Sequence, residues 1–227
     1  MSELNGSIVE YPVNGRSIRG YLSPPQSGSG PGVLVIQEWW GLVGHIQKVA
    51  DRFAEAGYVA LAPDMYHGDS TTSPDEAGKL MMALNIDDAE KDLRSSAEFL
   101  LSRASGDKIG VVGFCMGGQL ALYAASKNPS IGACVDFYGI HPNVTPEYAK
   151  IQAPVLGLFA ERDGFVGPDV VKDLEAKLKA AGVSTDFHIY PNVDHAFFND
   201  ERPVYDLAAA TDAWSRVQKF FGKHLKA

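Results

Sequence analysis

Cys115 lies in Gly113-Phe114-Cys115-Met116-Gly117-Gly118, directly after the apolar run Ile109-Gly110-Val111-Val112 and before a segment with helical character. This pattern describes a nucleophile elbow that carries sulfur instead of oxygen. A sharp strand-to-helix turn lifts the central side chain above a sheet, and small residues at the flanking positions relieve the backbone crowding. The turn also places the thiol at a helix N-terminus, where unpaired N–H groups and the helix dipole favour negative charge on sulfur. The bland alternative is a small core cysteine at a strand end.

Acyl transfer through a thiol needs a base and a group that orients the base. Asp163, in Glu161-Arg162-Asp163-Gly164, follows the apolar run Pro154 to Phe159, and His195, in Asp194-His195-Ala196-Phe197-Phe198, follows the run Thr185 to Tyr190. Alone, Asp163 reads as a turn residue and His195 as a packed loop histidine. Together with Cys115 they occupy three successive loops at the C-terminal ends of strands, where open α/β sheets build their sites.

The elements that must hold these residues alternate strand and helix, which implies an α/β fold with a mostly parallel, twisted sheet covered by helices on both faces. An N-terminal β-hairpin (Ser7 to Val13, turn at Asn14-Gly15, Ser17 to Leu22) opens the chain. The strand Val33 to Ile36, a helix near Gly44 to Ala56 and the strand Tyr58 to Ala62 follow. Between Met65 and Asp87 the alternation breaks, and Ser73-Pro74-Asp75-Glu76 marks the start of a short helix suited to a partial cap. Helices are expected at Asp88 to Arg103, from the elbow to Ser126, at Pro168 to Ala181 and at Pro203 to His224.

With these residues in place, the chain resembles the dienelactone hydrolase family of α/β-hydrolases from about Val33 to Phe221. The resemblance rests on Gln37-Glu38-Trp39-Trp40-Gly41, Ala62-Pro63-Asp64-Met65-Tyr66, the cysteine elbow and His195-Ala196-Phe197. It implies that Cys115 is the nucleophile, His195 the base and Asp163 its orienting acid. It also implies a gate at Glu38, which read by itself is a solvated loop carboxylate. A carboxylate beside the thiol disfavours thiolate until substrate shifts it. The amides of Met116 and Trp39 are the implied oxyanion donors, with packing the competing role for Trp39 and Trp40.

Two positions depart from the family. The arginines that hold a substrate carboxylate would stand at Gly68 and Asn199, so that clamp is not carried over. Arg202 is either a replacement or, by its sequence setting, a surface arginine entering the last helix. Tyr66, His67, Tyr138, Phe197 and Phe198 are candidate pocket residues, as are Trp39 and Phe114, each weighed against simple packing.

The chain of 227 residues, with 45% hydrophobic and 21% charged residues, suits one α/β-hydrolase domain over 1–227. A net charge of −8 without a basic cluster argues against nucleic acid or anionic lipid as partners. No signal peptide or membrane-length apolar span is evident, which makes the cytoplasm the expected location; a monomer or weak homodimer is the expected state, though nothing in the sequence fixes it. Two cysteines and six scattered histidines give neither a disulfide framework nor zinc spacing, so no cofactor or metal is expected, and Cys134 reads as inert core.

The expected reaction is hydrolysis of a small lactone or activated ester through a thioester. Thiolate leaves a tetrahedral intermediate more readily than alkoxide, which disfavours amide substrates. The rivals are a carboxylesterase of different substrate preference and a thiol redox sensor, in which Asp163 and His195 would have no task.

Overall fold

A computed structural model describes residues 4–13 and 15–225. Its eight strands form one sheet: β1 (Ser7–Val13), β2 (Arg16–Ser23), β3 (Pro31–Ile36), β4 (Val59–Pro63), β5 (Ser105–Phe114), β6 (Ile131–Phe137), β7 (Val155–Ala160) and β8 (Thr185–Tyr190). The spatial order is β1-β2-β4-β3-β5-β6-β7-β8. The β1–β2 and β2–β4 pairs are antiparallel, and the remaining pairs are parallel. Gly15, in the β1–β2 turn, has φ 84°; Asn14, the other expected turn residue, lies outside the described residues.

Six helices complete the layers: α1 (Gly44–Glu55), α2 (Pro74–Ala83), α3 (Ile86–Leu101), α4 (Met116–Lys127), α5 (Pro168–Ala180) and α6 (Leu207–Leu225). Alternation along the central strands divides the core. Leu34, Ile36 and Val111 pack with α3, α4 and α5 on one face, whereas Val33, Val35 and Val112 pack with α1 and α6 on the other. Strands covered on both faces need apolar residues at successive positions, which is why β3 and the buried second half of β5 from Ile109 read as apolar runs. Each such Val or Leu, fully buried, contributes about 1.5–3 kcal/mol.

Helix starts follow local capping. Ser73 Oγ accepts the Glu76 amide at 3.5 Å to open α2. Asn85 Oδ1 accepts the Asp88 amide at 3.1 Å, so α3 begins at Ile86, ahead of the expected Asp88. The last helix is a correction in the opposite sense. It starts at Leu207, not Pro203, because Asp206 Oδ1 accepts the Ala209 amide at 2.8 Å and serves as its cap. Residues 199–206 are thereby left in consecutive turns, with Arg202 N–H donating to Asn199 O and Tyr205 N–H to Arg202 O.

The junction of β5 and α4 is the tightest point of the sheet. A Cβ on Gly113 would overlap the Gly117 carbonyl, and one on Gly117 would overlap the Ile36 carbonyl. Strand end, helix start and the neighbouring strand β3 therefore touch through backbone alone. We expect Gly113→Ala to lower unfolding free energy by about 3 kcal/mol, measured by urea denaturation, because the colliding atoms are main chain and cannot rotate away.

Candidate active site

Cys115 is the N-cap of α4, with φ 53° and ψ −119°. This is backbone geometry that L-residues avoid, and it persists only where surrounding structure enforces it. Here the enforcement is explicit. Cys115 N–H donates to Phe137 O at 3.0 Å, and its carbonyl accepts Gly118 N–H at 2.9 Å and Ile140 N–H at 3.1 Å. Positive φ recurs at Tyr138 (42°) and Ala196 (63°), both beside the site.

The loop after β7 supplies Asp163 and the loop after β8 supplies His195. Asp163 Oδ2 pairs with His195 Nδ1 at 2.6 Å. Its other oxygen accepts the amides of Phe165 at 2.7 Å and Val166 at 2.9 Å, which fixes the carboxylate plane. Burial alone would raise the Asp163 carboxyl, but the His195 contact and the two amides hold it below the usual range. Burial likewise opposes charge on His195, yet Asp163 and a hydrogen bond with Cys115 outweigh it and push the imidazole up from 6.5 to about 10. Sulfur, imidazole and carboxylate are thus brought together as expected. The ring is further held between Tyr138, centroids 4.9 Å apart, and Phe165, 5.2 Å.

Glu38 is fully buried, not solvated. Its Oε2 accepts the Asn199 side-chain amide at 2.5 Å, a contact spanning 161 positions of sequence. Among the described residues its Oε1 has no hydrogen-bond partner. Neighbouring Gln37 is buried too and accepts the Met65 amide at 3.2 Å, which ties this loop to the one after β4. Met116 is the first residue of α4, where an amide has no preceding helical carbonyl to serve. Its side chain is fixed from below by Tyr66, whose hydroxyl donates to Met116 Sδ at 3.1 Å.

A cleft of about 450 Å³ opens over Cys115 and His195. Glu38, Trp39, Trp40, Ile140, Pro142 and Phe165 are among the residues that line it. Met81, at the end of α2, reaches into it, so the irregular excursion after β4 does contribute a partial cover. Arg202 also lines the cleft, its guanidinium stacked 3.7 Å from the centroid of Trp40. The turns that delay α6 bring it there, so it is not a helix-entry surface residue.

Several expected pocket residues lie elsewhere. Phe114, Phe197 and Phe198 are fully buried around Phe137, Phe114 stacked on it and the other two tilted, because consecutive aromatics here complete the core between the sheet and α1. Tyr138 is buried under the His195 ring, and Tyr66 sits beneath Met116. His67 turns away to meet Asp92, Nε2 to Oδ2 3.2 Å. Cys134 is wholly buried, and burial pushes its thiol up. Conversely, Ile140, Pro142 and Val204 line the cleft without any local signal that could have marked them; Met81 had only its place in the excursion after β4, and Phe165 only its nearness to Asp163.

The family model described as "Dienelactone hydrolase family" matches residues 18–225. "Protein usf" of Aquifex pyrophilus is 42% identical over 97% of this chain and 99% of its own length. A protein of Aquifex aeolicus named "Putative carboxymethylenebutenolidase" is 38% identical, over 97% of this chain and all of its own.

The chain belongs to the dienelactone hydrolase family.

Among solved structures, "Putative Dienelactone Hydrolase" from Klebsiella pneumoniae superposes with a TM-score of 0.89 at 28% identity, covering 96% of this chain and 98% of that one. The sheet order and the helices on both faces are therefore those of an α/β-hydrolase, and this dienelactone hydrolase family member is a hydrolase. No helix among the described residues is long and apolar enough to cross a membrane.

Because the folded value of His195 lies above its unfolded one, the stability it contributes is fully present below about pH 6.5 and is lost as pH rises towards about 10. Asp163→Asn removes the main source of that elevation. The imidazole titration of His195, followed by NMR, should then fall towards or below 6.5; a midpoint equal to that of the unmodified enzyme would contradict the assigned contact.

Proposed function

We propose that the chain, acting as one hydrolase domain, cleaves carboxylic esters or lactones through a thioester on Cys115. The observation that carries this reading is the contact of the Asp163–His195 pair with the sulfur of a residue held in a strained elbow. A core cysteine would need neither the elbow nor the imidazole.

Glu38, shifted by the bound substrate, takes the thiol proton, the resulting thiolate attacks the substrate carbonyl carbon, and negative charge moves to the carbonyl oxygen. The amides of Met116 and Trp39 are the donors assigned to it. As the tetrahedral intermediate collapses, the C–O bond to the leaving group breaks and protonated His195 gives its proton to the departing oxygen. Now neutral, His195 takes a proton from water, hydroxide adds to the thioester, and the acid leaves as sulfur is released and recovers its proton from Glu38. Asp163 remains ionised throughout and holds the ring by Nδ1.

Glu38 is assigned the gate. Its unpartnered oxygen and the sulfur border one cleft, and a second negative charge near sulfur is unfavourable until substrate engages the carboxylate. Asn199, at a position where dienelactone-cleaving relatives are expected to carry an arginine, spends its amide on Glu38, and Gly68 has no side chain to offer. These two facts favour a broader carboxylesterase over an enzyme restricted to dienelactone.

Cys115→Ala and His195→Ala should each reduce turnover of p-nitrophenyl acetate by at least about 10⁴-fold with circular dichroism unchanged. Glu38→Gln should lower kcat/KM by about 100-fold. Undiminished hydrolysis by purified Cys115→Ala protein would exclude the mechanism.

A further inference from the structure

The cleft over Cys115 differs in character from the groups it contains. Apart from the reacting residues, its walls are Trp39, Met81, Ile140, Pro142, Phe165 and Val204. Apart from His195, the cationic side chain among the described lining residues is Arg202, whose guanidinium carbon lies over the Trp40 ring at 3.7 Å from its centroid. Apolar character also spills outward. Phe165 is 62% exposed and Val204 40%, and Tyr205 and Leu207 (68%) follow on the same segment. Large side chains of this kind are costly to leave in water unless something covers them. Phe165 also packs edge-on against the His195 ring, so the exposed rim and the reacting atoms are continuous.

Resting on the ester-hydrolase reading above, we infer that the enzyme selects esters bearing an extended apolar chain or ring, and that Phe165 and Val204 set this preference. The occupant is a small molecule because the apolar surface forms the wall of a cleft of about 450 Å³ that leads to Cys115. That volume is within the range of pockets that enclose drug-sized ligands and far exceeds the needs of an acetyl group. The chemistry of recognition is burial of methylene or aromatic groups between Trp39, Phe165 and Val204. Each methylene that passes from water into such a cleft improves binding by about threefold to fourfold when fully buried.

The test is kcat/KM across two series: p-nitrophenyl esters from acetate to octanoate, and alkyl acetates from methyl to octyl. At least one series should rise by ~10-fold or more over four added methylenes, less than full burial would give because the rim is open. The paired substitution Phe165→Ser with Val204→Ser should flatten that rise, whereas Ile8→Ser, at an exposed apolar position on the N-terminal hairpin, should leave it intact. Acetate turnover with flat profiles in both series would overturn the inference while leaving the catalytic reading standing. Failure of every ester in both series, with no acylation of Cys115, would overturn the catalytic reading and the inference with it. Sedimentation velocity on the same proteins covers the other occupant. A dimer that the paired serine substitution dissociates, with the chain-length profile unchanged, would reassign the rim to self-association and overturn the inference.

Discussion

The backbone of Cys115 is the constraint on which the site depends. Its φ of 53° can be held only because β5 and α4 meet without side chains between them, at Gly113 and Gly117, and because its own N–H and carbonyl are bonded to β6 and the segment just beyond it. A second pair of glycines, Gly118 and Gly139, accommodates the Asp136 carboxyl against their backbone. Burial pushes Asp136 up to about 7, so this carboxyl tends towards its neutral form inside the fold. The elbow is thus a knot of main-chain contacts across three strands, with little freedom to relax.

Electrostatics then act on what the knot presents. Asp163 is committed at both oxygens, one to His195 and the other to two amides, and this ordering of the carboxylate orders the imidazole. Tyr138 and Phe165 hold the ring and keep water from most of it, which strengthens the pairing. Glu38 is the opposing element: a buried carboxylate with one oxygen held and one available beside the same cleft. The site therefore holds two carboxylates in different surroundings, one with both oxygens bonded and one with a single oxygen bonded.

Much of this was readable from local pattern, and the limits of that reading have physical causes. The elbow shows in sequence because its glycines lie within five positions of one another, and Asp163 and His195 show because each lies in a loop shortly after a strand. Strand positions were read closely because strands buried on both faces are apolar runs. By contrast, burial of Glu38 depends on Asn199, far along the chain, and no local pattern encodes that contact. The displacement of Arg202 onto Trp40 follows from a single cap at Asp206 that shortens α6. By position, directly after His195, the Phe197 and Phe198 rings suit a pocket, but core packing claims both.

Loss of the arginine positions, the Asn199–Glu38 contact and the apolar rim at Phe165 form one coherent departure from an enzyme built for a small anionic lactone. The most direct measurement of the central claim is acid-quench mass spectrometry during turnover of a slowly hydrolysed ester, with peptide mapping. The account predicts an acyl mass on the peptide containing Cys115, released by neutral hydroxylamine as a thioester is. Sustained turnover with the acyl group on another residue, or on none, would contradict it.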